Sequence, residues 1–252
     1  MRPYVLAELT WETVRTEGFE VAVLPWGATE AHNRHLPYAT DTVQCEAVAA
    51  RAAEIAWEAG ARVLVLPAMP FGVQTGQLDI PFCLNLNPST QTAVLRDLIG
   101  SLEPHGVRKL VILNGHGGND FRQIIRELQP ATSITLCQVH WYQVEKRDGH
   151  FSAPGDHADE METSVMLHLA PELVRPLSTA GPGATKPSRL AAVRDGWAWM
   201  PRPWSRVTED TGSGDPGGAT EAKGAGFVAV TTRRQGEFLI ELAAADPADL
   251  WG

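Results

Sequence analysis

The sequence contains little cysteine and no long hydrophobic run. Its three cysteines, Cys45, Cys83 and Cys137, are widely spaced and odd in number, which argues against a disulfide framework and favours a reducing compartment. Apolar stretches are short and interrupted by proline, and none approaches the roughly 18 residues that a membrane-spanning helix needs. The amino terminus shows no apolar segment of signal-peptide length. These absences predict a cytoplasmic protein.

Positive charge is also scarce. Lysine and arginine together number 21 against 30 aspartate and glutamate residues, so the formal net charge is −9. An acidic chain lacks the electrostatic footprint of a nucleic-acid binder and is repelled by an anionic membrane surface. We therefore expect no nucleic-acid partner and no membrane partner, and a small molecule as the substrate. Hydrophobic residues at 44% and charged residues at 20% are typical of an ordered globular domain.

Short apolar segments alternate with longer segments of helical periodicity along the amino-terminal part of the chain. The apolar segments predict strands at 21–24, 62–66, 109–113 and 133–139. The segments between them predict helices at 41–59, 88–102 and 120–128. Strand–helix–strand alternation is typical of a parallel sheet covered by helices on both faces. The sequence thus predicts one α/β domain over residues 1–252, with three layers and a central, mostly parallel sheet flanked by helices.

Residues 178–223 show little periodicity and are rich in glycine, proline, serine and tryptophan. A long irregular stretch inside a compact chain is usually functional or disordered, and Trp197, Trp199 and Trp204 argue against disorder. We predict that this segment is a lid over the site or a contact with another subunit. A surface excursion pinned by its three tryptophans is the simpler alternative.

Carboxylates and imidazoles are concentrated directly after the predicted strands. Parallel α/β sheets bind ligands at the carboxyl ends of their strands, so these side chains are predicted to meet. The candidate metal ligands are Glu30, His32, Asp41, His116 and Glu162. Carboxylate with imidazole suits Zn, Mn or Fe, and five candidates suffice for two metal ions if one carboxylate bridges them.

Several of these residues also have a purely structural interpretation. Asp41 alone would be the N-cap of the helix that follows it, and Glu162 alone would belong to a capping arrangement with Asp159. The turn at 114–119 offers backbone N–H groups to an anion but lacks the ending of a P-loop. His35 is interpreted as supporting a ligand rather than as binding a metal ion. The combination at one sheet edge favours a metal site.

Three motifs occur together in the order of a known family. They are Gly27-x-x-Glu30-x-His32-x-x-His35-Leu36-Pro37-x-x-Thr40-Asp41, Asn114-Gly115-His116-Gly117-Gly118-Asn119 and His157-Ala158-x-x-x-Glu162-Thr163-Ser164. They resemble the creatininase (creatinine amidohydrolase) family, in the branch that carries Gly-His-Gly-Gly-Asn. The late segment at 214–224 is similar to the same family, so the resemblance covers nearly the whole chain.

The resemblance implies hydrolysis of a C–N bond in a small amide, a cyclic amide or a formamide, with two divalent metal ions (Zn, Mn or Fe). It also implies a homo-oligomer, often a hexamer. Glu30, Asp41 and His116 match the ligands of one metal ion, and Asp41 and His32 match ligands of the other.

His157 and Glu162 are the predicted catalytic residues. His157 matches a family residue that passes protons to the leaving nitrogen, and imidazole suits that role near neutral pH. A hydroxide shared by two metal ions would attack the amide carbonyl. In the alternative interpretation, His157 only orients a ligand.

Two positions depart from the family pattern. Creatininase proper carries a metal-binding glutamate where this chain has Gly118, which disfavours creatinine as the substrate. We predict that Glu162 supplies a carboxylate to the second metal ion and that Glu160, roughly 200° further round the helix, does not. Asn33 and Arg34 replace the usual Gly-Pro, and Arg34 is either a contact for a substrate carboxylate or phosphate or a solvated loop residue.

Two other functions use the same residues. A metal-dependent sugar or cyclitol hydrolase or isomerase on this scaffold would also need paired metal ions and carboxylates. A binding protein that has lost activity is disfavoured because the set of ligands is complete. Residues 72–76 are expected to line the pocket together with Trp141 and Tyr142, although an aromatic pair after a strand is as often part of the core.

Overall fold

A parallel four-stranded sheet lies at the centre of the computed structural model, which describes residues 1–251. Its strands are β1 (Val21–Trp26), β2 (Val63–Val65), β3 (Lys109–Asn114) and β4 (Thr135–His140). They follow the order β2-β1-β3-β4, and every neighbouring pair is parallel. The predicted α/β class is confirmed.

Helices cover both faces of this sheet. The described residues contain α1 (Trp11–Thr16), α2 (Thr40–Glu58), α3 (Pro88–Leu102), α4 (Arg122–Leu128), α5 (Glu160–Leu169), α6 (Ala191–Arg194), α7 (Trp204–Val207) and α8 (Glu221–Ala244). Buried residues of α2, α5 and α8 form one core with the sheet, and those of α3 and α4 form the other. No described helix combines the length and apolarity required to cross a bilayer.

Strand β1 explains why the sheet needs two helical layers. Val21 and Val23 pack into the core of α2, α5 and α8, whereas Ala22, Leu24 and Trp26 pack into the opposite core. Side chains of a strand alternate between its faces, so a strand that is apolar throughout must be covered on both sides. Each fully buried aliphatic side chain contributes about 1.5–3 kcal/mol.

The strands extend further towards the site than their apolar pattern predicts. β1 continues to Trp26, β3 to Asn114 and β4 to His140. The register places Trp26 beside Asn114 and Asn114 beside His140. Polar residues therefore end two adjacent strands at the carboxyl edge of the sheet, where ligands are bound in this class of fold.

Two glycines let the start of α2 approach this edge. A Cβ on Gly27 would lie 2.6 Å from the Thr42 Cα, and a Cβ on Gly115 would lie 2.8 Å from the Asp41 carbonyl oxygen. Neither position has room for a side chain. Asp41 consequently sits against both strand-end loops, in the first turn of α2, where a negative charge suits the helix dipole. Ala39 is the N-cap residue, so the interpretation of Asp41 as the cap is wrong.

Residues 178–223 are less irregular than the sequence predicts. They contain α6 and α7, they include strand β6 (Ser213–Gly214), which pairs antiparallel with β5 (Gly155–His157), and they enter α8 at Glu221. Trp204 is buried, but Trp197 and Trp199 are 78% and 84% exposed in the single chain. The expectation that the tryptophans of this segment are buried is therefore right only for Trp204.

Candidate metal centre

Five elements bring the predicted site residues to the carboxyl edge of the sheet. Glu30 and His32 lie in the loop after β1, and His116 lies in the loop after β3. Asp41 comes from the first turn of α2, and the remaining pair, His157 and Glu162, comes from β5 and the first turn of α5. All six side chains are buried.

The ligand atoms fall into two groups that share Asp41. In the first group, His116 Nδ1 lies 2.9 Å from Glu30 Oε1 and 3.2 Å from Asp41 Oδ2. In the second, His32 Nε2 lies 3.2 Å from Asp41 Oδ1 and 3.8 Å from Glu162 Oε2. The ligand atoms of each group lie within 4.8 Å of one another, which is close enough to hold a metal ion.

His157 belongs to a third group of this kind, with Glu30 and His32. Its Nδ1 lies 3.7 Å from Glu30 Oε1, and its ring centroid lies 4.1 Å from that of His32. His157 therefore stands as close to the carboxylates as the proposed ligands do. On the other side of the ring, the Trp204 ring centroid lies 4.8 Å away.

Backbone carbonyls fix the orientation of all three imidazoles. His116 Nε2 donates to the Val73 carbonyl (3.0 Å), His32 Nδ1 to that of Glu30 (3.1 Å) and His157 Nε2 to that of Ala31 (2.8 Å). A histidine that donates one ring N–H in this way presents the lone pair of its other nitrogen. The remaining nitrogen of each ring faces the carboxylates, as in a metal site.

The charge balance of the cluster also fits a cation. Burial opposes ionisation of Asp41, yet the facing His32 imidazole holds the pKa of that carboxyl well below its usual range. Burial likewise disfavours the charged imidazole, but Asp41 raises the pKa of His32 to about 10. Among the described residues, the buried Asp41 Oδ2 has no hydrogen-bond partner. A divalent cation would replace the protons and satisfy that oxygen.

Glu162 both caps its helix and faces the cluster. Its backbone N–H donates to Asp159 Oδ1 at 3.0 Å, while its carboxylate accepts from the Ala158 N–H. Ala158 adopts a φ of 49°, a left-handed conformation that is strained for a non-glycine residue. Burial raises the pKa of Glu162 to about 8. The capping interpretation of Glu162 thus holds for its backbone, and its side chain points towards His32.

Glu160 is turned away from the cluster. Its carboxylate pairs with Lys223 and accepts from the backbone N–H groups of Ser152 and Ala153 at 2.8 and 2.7 Å. These partners occupy both of its oxygens. The two neighbouring glutamates of α5 therefore have different surroundings, as their helical spacing predicts.

A chain of supporting contacts was not predicted from the sequence. Gln77 donates from its side-chain amide to Glu30 Oε2 and accepts at Oε1 from the Cys83 thiol at 3.2 Å. The thiol sulfur in turn accepts from the Ala31 N–H at 3.3 Å. These contacts leave Glu30 Oε1 as the oxygen that faces the imidazoles. The sequence offered one indication that Gln77 lies at the site, which is that it directly follows the predicted pocket segment 72–76.

The other strand-end histidines lie outside the three ligand groups. His35 Nε2 contacts Thr163 Oγ1 at 2.9 Å, and burial lowers the pKa of His35 to about 4. His140 Nδ1 accepts from Asn114 Nδ2 at 2.9 Å. Both rings brace the loops that carry the candidate ligands.

A cavity of ≈ 500 Å³ opens onto the cluster. Its wall includes the candidate ligands Glu30, Asp41, His116, His157 and Glu162, the segments 73–77 and 115–118, and Tyr142, Trp199, Met200, Arg202 and Trp204. Trp141 is packed in the core instead. Arg34 is exposed and is not among the residues that line this cavity in the described chain, so the geometry favours the solvated loop arginine.

Gly118 forms part of the cavity wall, and the backbone there is tightly enclosed. A Cβ at this position would collide with the Val73 carbonyl oxygen and with His116 Nε2. A glutamate at position 118 would therefore require the loop to move, which is consistent with a site completed by another carboxylate.

Comparisons with known proteins show which family has this fold and these motifs. The model of the creatininase family, creatinine amidohydrolase, matches residues 7–239. The chain belongs to the creatininase family. A creatinine amidohydrolase of Pseudomonas putida is 31% identical over 194 residues, covering 67% of this chain and 73% of the relative. A mycofactocin precursor peptide peptidase of Mycobacterium tuberculosis is 32% identical over 213 residues, covering 80% and 77%.

Two solved structures and one further relative extend the comparison. A crystal structure of a candidate creatinine amidohydrolase from Bacteroides fragilis has a TM-score of 0.94 and 40% identity, covering all of both chains. A mutant creatininase described as Zn–Zn type has a TM-score of 0.78 and 25% identity, covering 96% of this chain and 99% of that one. A 3-dehydro-scyllo-inosose hydrolase of Thermotoga maritima is 28% identical, covering 64% and 53%.

Proposed function

We propose that this creatininase-family amidohydrolase cleaves a C–N bond in a small amide, cyclic amide or formamide, using two divalent cations. Glu30, Asp41 and His116 would hold one cation, and His32, Asp41 and Glu162 would hold the other. The observation that carries the proposal is the position of Asp41. Its two carboxylate oxygens each lie 3.2 Å from a different imidazole, an arrangement that suits a bridging carboxylate.

Paired cations at this position would supply a nucleophile from water at neutral pH and would polarise a substrate carbonyl. The residues of the chain position these groups. Gln77 binds one oxygen of Glu30 and so directs the other towards the imidazoles. The Val73 carbonyl holds His116 in the tautomer whose Nδ1 is free to act as a ligand.

His157 is suited to carry a proton to the leaving nitrogen. Burial, reinforced by the neighbouring His32, lowers the pKa of His157, so the ring is neutral near pH 7. Its Nε2–H is committed to the Ala31 carbonyl, which leaves Nδ1 on the cavity side to accept and release a proton. The Trp204 ring lies beside the imidazole, with its centroid 4.8 Å away.

A hydrolysis screen in isotopically labelled water tests this function. The protein, stripped and then loaded with Zn, Mn or Fe, would be incubated with cyclic ureides, lactams and formamides, and with short peptides because one relative is a peptidase. We expect cleavage of a C–N bond with one solvent oxygen in the carboxyl product, the nitrogen being freed as an amine or, from a cyclic ureide, as a ureido group. Turnover should be lost in Asp41→Ala. Absence of C–N cleavage with every metal and every substrate class would contradict the proposal.

A metal-dependent cyclitol hydrolase or isomerase is the second candidate. The observation that favours it is the similarity to 3-dehydro-scyllo-inosose hydrolase, at 28% identity. Adding a cyclitol to the same screen separates the candidates, because a cyclitol has no C–N bond to cleave and an isomerase incorporates no solvent oxygen into a carboxyl group.

We also propose that the chain forms a homo-oligomer, with a hexamer as the expected state. Large apolar side chains that are exposed in the single chain support this, among them Phe82 at 83% and Leu78 at 67%. Sedimentation equilibrium measures the state directly, and a monomer at all concentrations would contradict it.

A further inference from the structure

The cavity contains a buried carboxamide that the metal centre does not use. Gln74 lines the cavity and is only 3% exposed. Within residues 1–251, neither its Nε2 nor its Oε1 has a hydrogen-bond partner. The backbone of Gln74 is fixed, since its N–H donates to Asn85 Oδ1 at 2.7 Å and its carbonyl accepts from the Gln77 N–H at 2.9 Å.

A buried amide without hydrogen-bond partners lowers the stability of the fold. Each unsatisfied donor or acceptor keeps the desolvation penalty of its burial, and native proteins leave few such groups without a partner. A carboxamide presents one donor edge and one acceptor edge in a plane. The ligand that completes Gln74 must therefore offer both an acceptor and a donor, as the edge of a ureide or lactam does.

The arginines of the cavity wall are already neutralised. Arg147 Nη1 lies 2.6 Å from Asp159 Oδ2, and Arg202 Nη2 lies 2.9 Å from Asp156 Oδ2. Each guanidinium is thus already paired with a carboxylate, which offsets the charge that it presents to an anionic substrate. The wall beyond the metal ligands thus favours a neutral group.

The mouth of the cavity is apolar and adjoins the Gln74 loop. Trp199 and Met200 line the cavity yet are 84% and 49% exposed. A Cβ on Gly76 would lie 3.2 Å from the Trp204 ring, so the loop and the segment that follows Met200 are in contact. Exposed aromatic and thioether side chains at a cavity mouth are typical of a surface that packs against a ligand.

We propose that Gln74, Trp199 and Met200 form a substrate-recognition subsite for a neutral ureide or lactam that carries an aromatic substituent. Gln74 pairs with the N–H and C=O of the ring edge, and the two rim residues pack against the substituent. The inference rests on the proposed C–N hydrolysis and names its substrate class. Gln74 determines specificity and moves no proton.

Three hydantoins test the subsite on the full chain loaded with zinc. The first carries a benzyl group, the second is its N,N-dimethylated form, which lacks donors, and the third carries a methyl group in place of benzyl. Affinity would be measured by calorimetry and turnover by chromatographic detection of the ring-opened carbamoyl amino acid. Gln74→Met removes the carboxamide at similar length, Trp199→Ala removes the rim aromatic, and Trp197→Ala is the matched control because Trp197 is exposed and does not line the cavity.

We expect the wild type to prefer benzylhydantoin over both other ligands. Gln74→Met should weaken benzylhydantoin binding by about tenfold or more, as expected for the loss of two hydrogen bonds, and should abolish discrimination against the dimethylated form. Trp199→Ala should abolish the preference for benzyl over methyl, whereas Trp197→Ala should bind like the wild type. Zinc content should be unchanged in all three variants.

The outcomes separate this subsite from the proposed function. Equal binding of benzylhydantoin and its dimethylated form by the wild type overturns the role of Gln74 without the need for any variant. Equal effects of Trp199→Ala and Trp197→Ala on binding overturn the proposed role of Trp199 at the rim. No binding of any hydantoin overturns the ligand class. Binding with the expected pattern but no ring opening supports the subsite and counts against hydrolysis.

Discussion

Replacing Glu162 with glutamine separates the stability of α5 from the metal affinity of the site. Glu162 Oε2 lies 3.8 Å from His32 Nε2, and burial raises the pKa of Glu162 to about 8. The metal-free protein therefore holds this carboxyl mostly neutral at pH 7, and a glutamine of similar shape should change its stability by less than about 1 kcal/mol. The loaded protein loses a ligand, so occupancy should fall from about two cations per chain to about one.

Glu160→Gln is the matched control and should give the opposite result. Glu160 is ionised, because the Lys223 ammonium and the hydrogen bonds around Ser152 outweigh its burial and lower the pKa of this carboxyl to about 2. Glutamine leaves Lys223 without its partner, so stability should fall by about 1–3 kcal/mol. Metal occupancy should stay at the wild-type value.

Thermal denaturation of the stripped proteins and elemental analysis of the dialysed proteins measure both effects. The account requires that Glu162→Gln has a lower metal content with little change in Tm. It also requires that Glu160→Gln has a lower Tm with an unchanged metal content. If Glu162→Gln retained both cations, its side chain would serve only the fold of the turn around Ala158. If Glu160→Gln lost metal, the assignment of the two glutamates would be reversed.

Three further predictions follow from the same contacts. Asp41→Ala should lose most bound metal and all turnover, and a variant that keeps two cations per chain by elemental analysis would show that another group bridges. Metal affinity should rise with pH up to about pH 10, most steeply below about pH 8, because Asp41 raises the pKa of His32 to about 10 against the effect of burial, and burial raises that of Glu162 to about 8, so both protons must leave on binding; calorimetry in buffers of different ionisation enthalpy would contradict this if no protons were released. Gln77→Met frees Glu30 Oε2 and should weaken metal binding by about 10–100-fold, and competition with a chelating dye would refute the role of Gln77 if affinity were unchanged.

The sheet was predictable from the sequence because its strands are apolar on both faces. The prediction ended β1, β3 and β4 too early at the site. In β3 and β4 the reason is that Asn114 and His140 are polar and the apolar pattern stops before them. Helix α8 was not predicted because glycines interrupt its pattern. Gly224 shows the physical reason, since a Cβ there would collide with the Ser164 carbonyl oxygen of α5. The close packing of α8 against α5 requires glycine at this position, although glycine has a low intrinsic helix propensity.

The residues of the candidate metal centre could be proposed from local motifs, but their support could not. Glu30, His32 and Asp41 lie close together in the sequence, and strand-end position alone brings His116 to them. Gln74 and Gln77 come from an irregular loop that carries no periodic signal. Their positions depend on long-range contacts such as the hydrogen bond of 2.9 Å from Trp26 Nε1 to the Phe71 carbonyl. The sequence predicted segment 72–76 at the pocket, but only the tertiary structure reveals the contacts of these two side chains.

Anomalous diffraction from crystals of the zinc-loaded protein, recorded on both sides of the zinc absorption edge, tests the central claim most directly. We predict two zinc peaks that both contact Asp41, the first also in contact with Glu30 and His116 and the second with His32 and Glu162. A single peak, or two peaks of which only one contacts Asp41, would contradict the account.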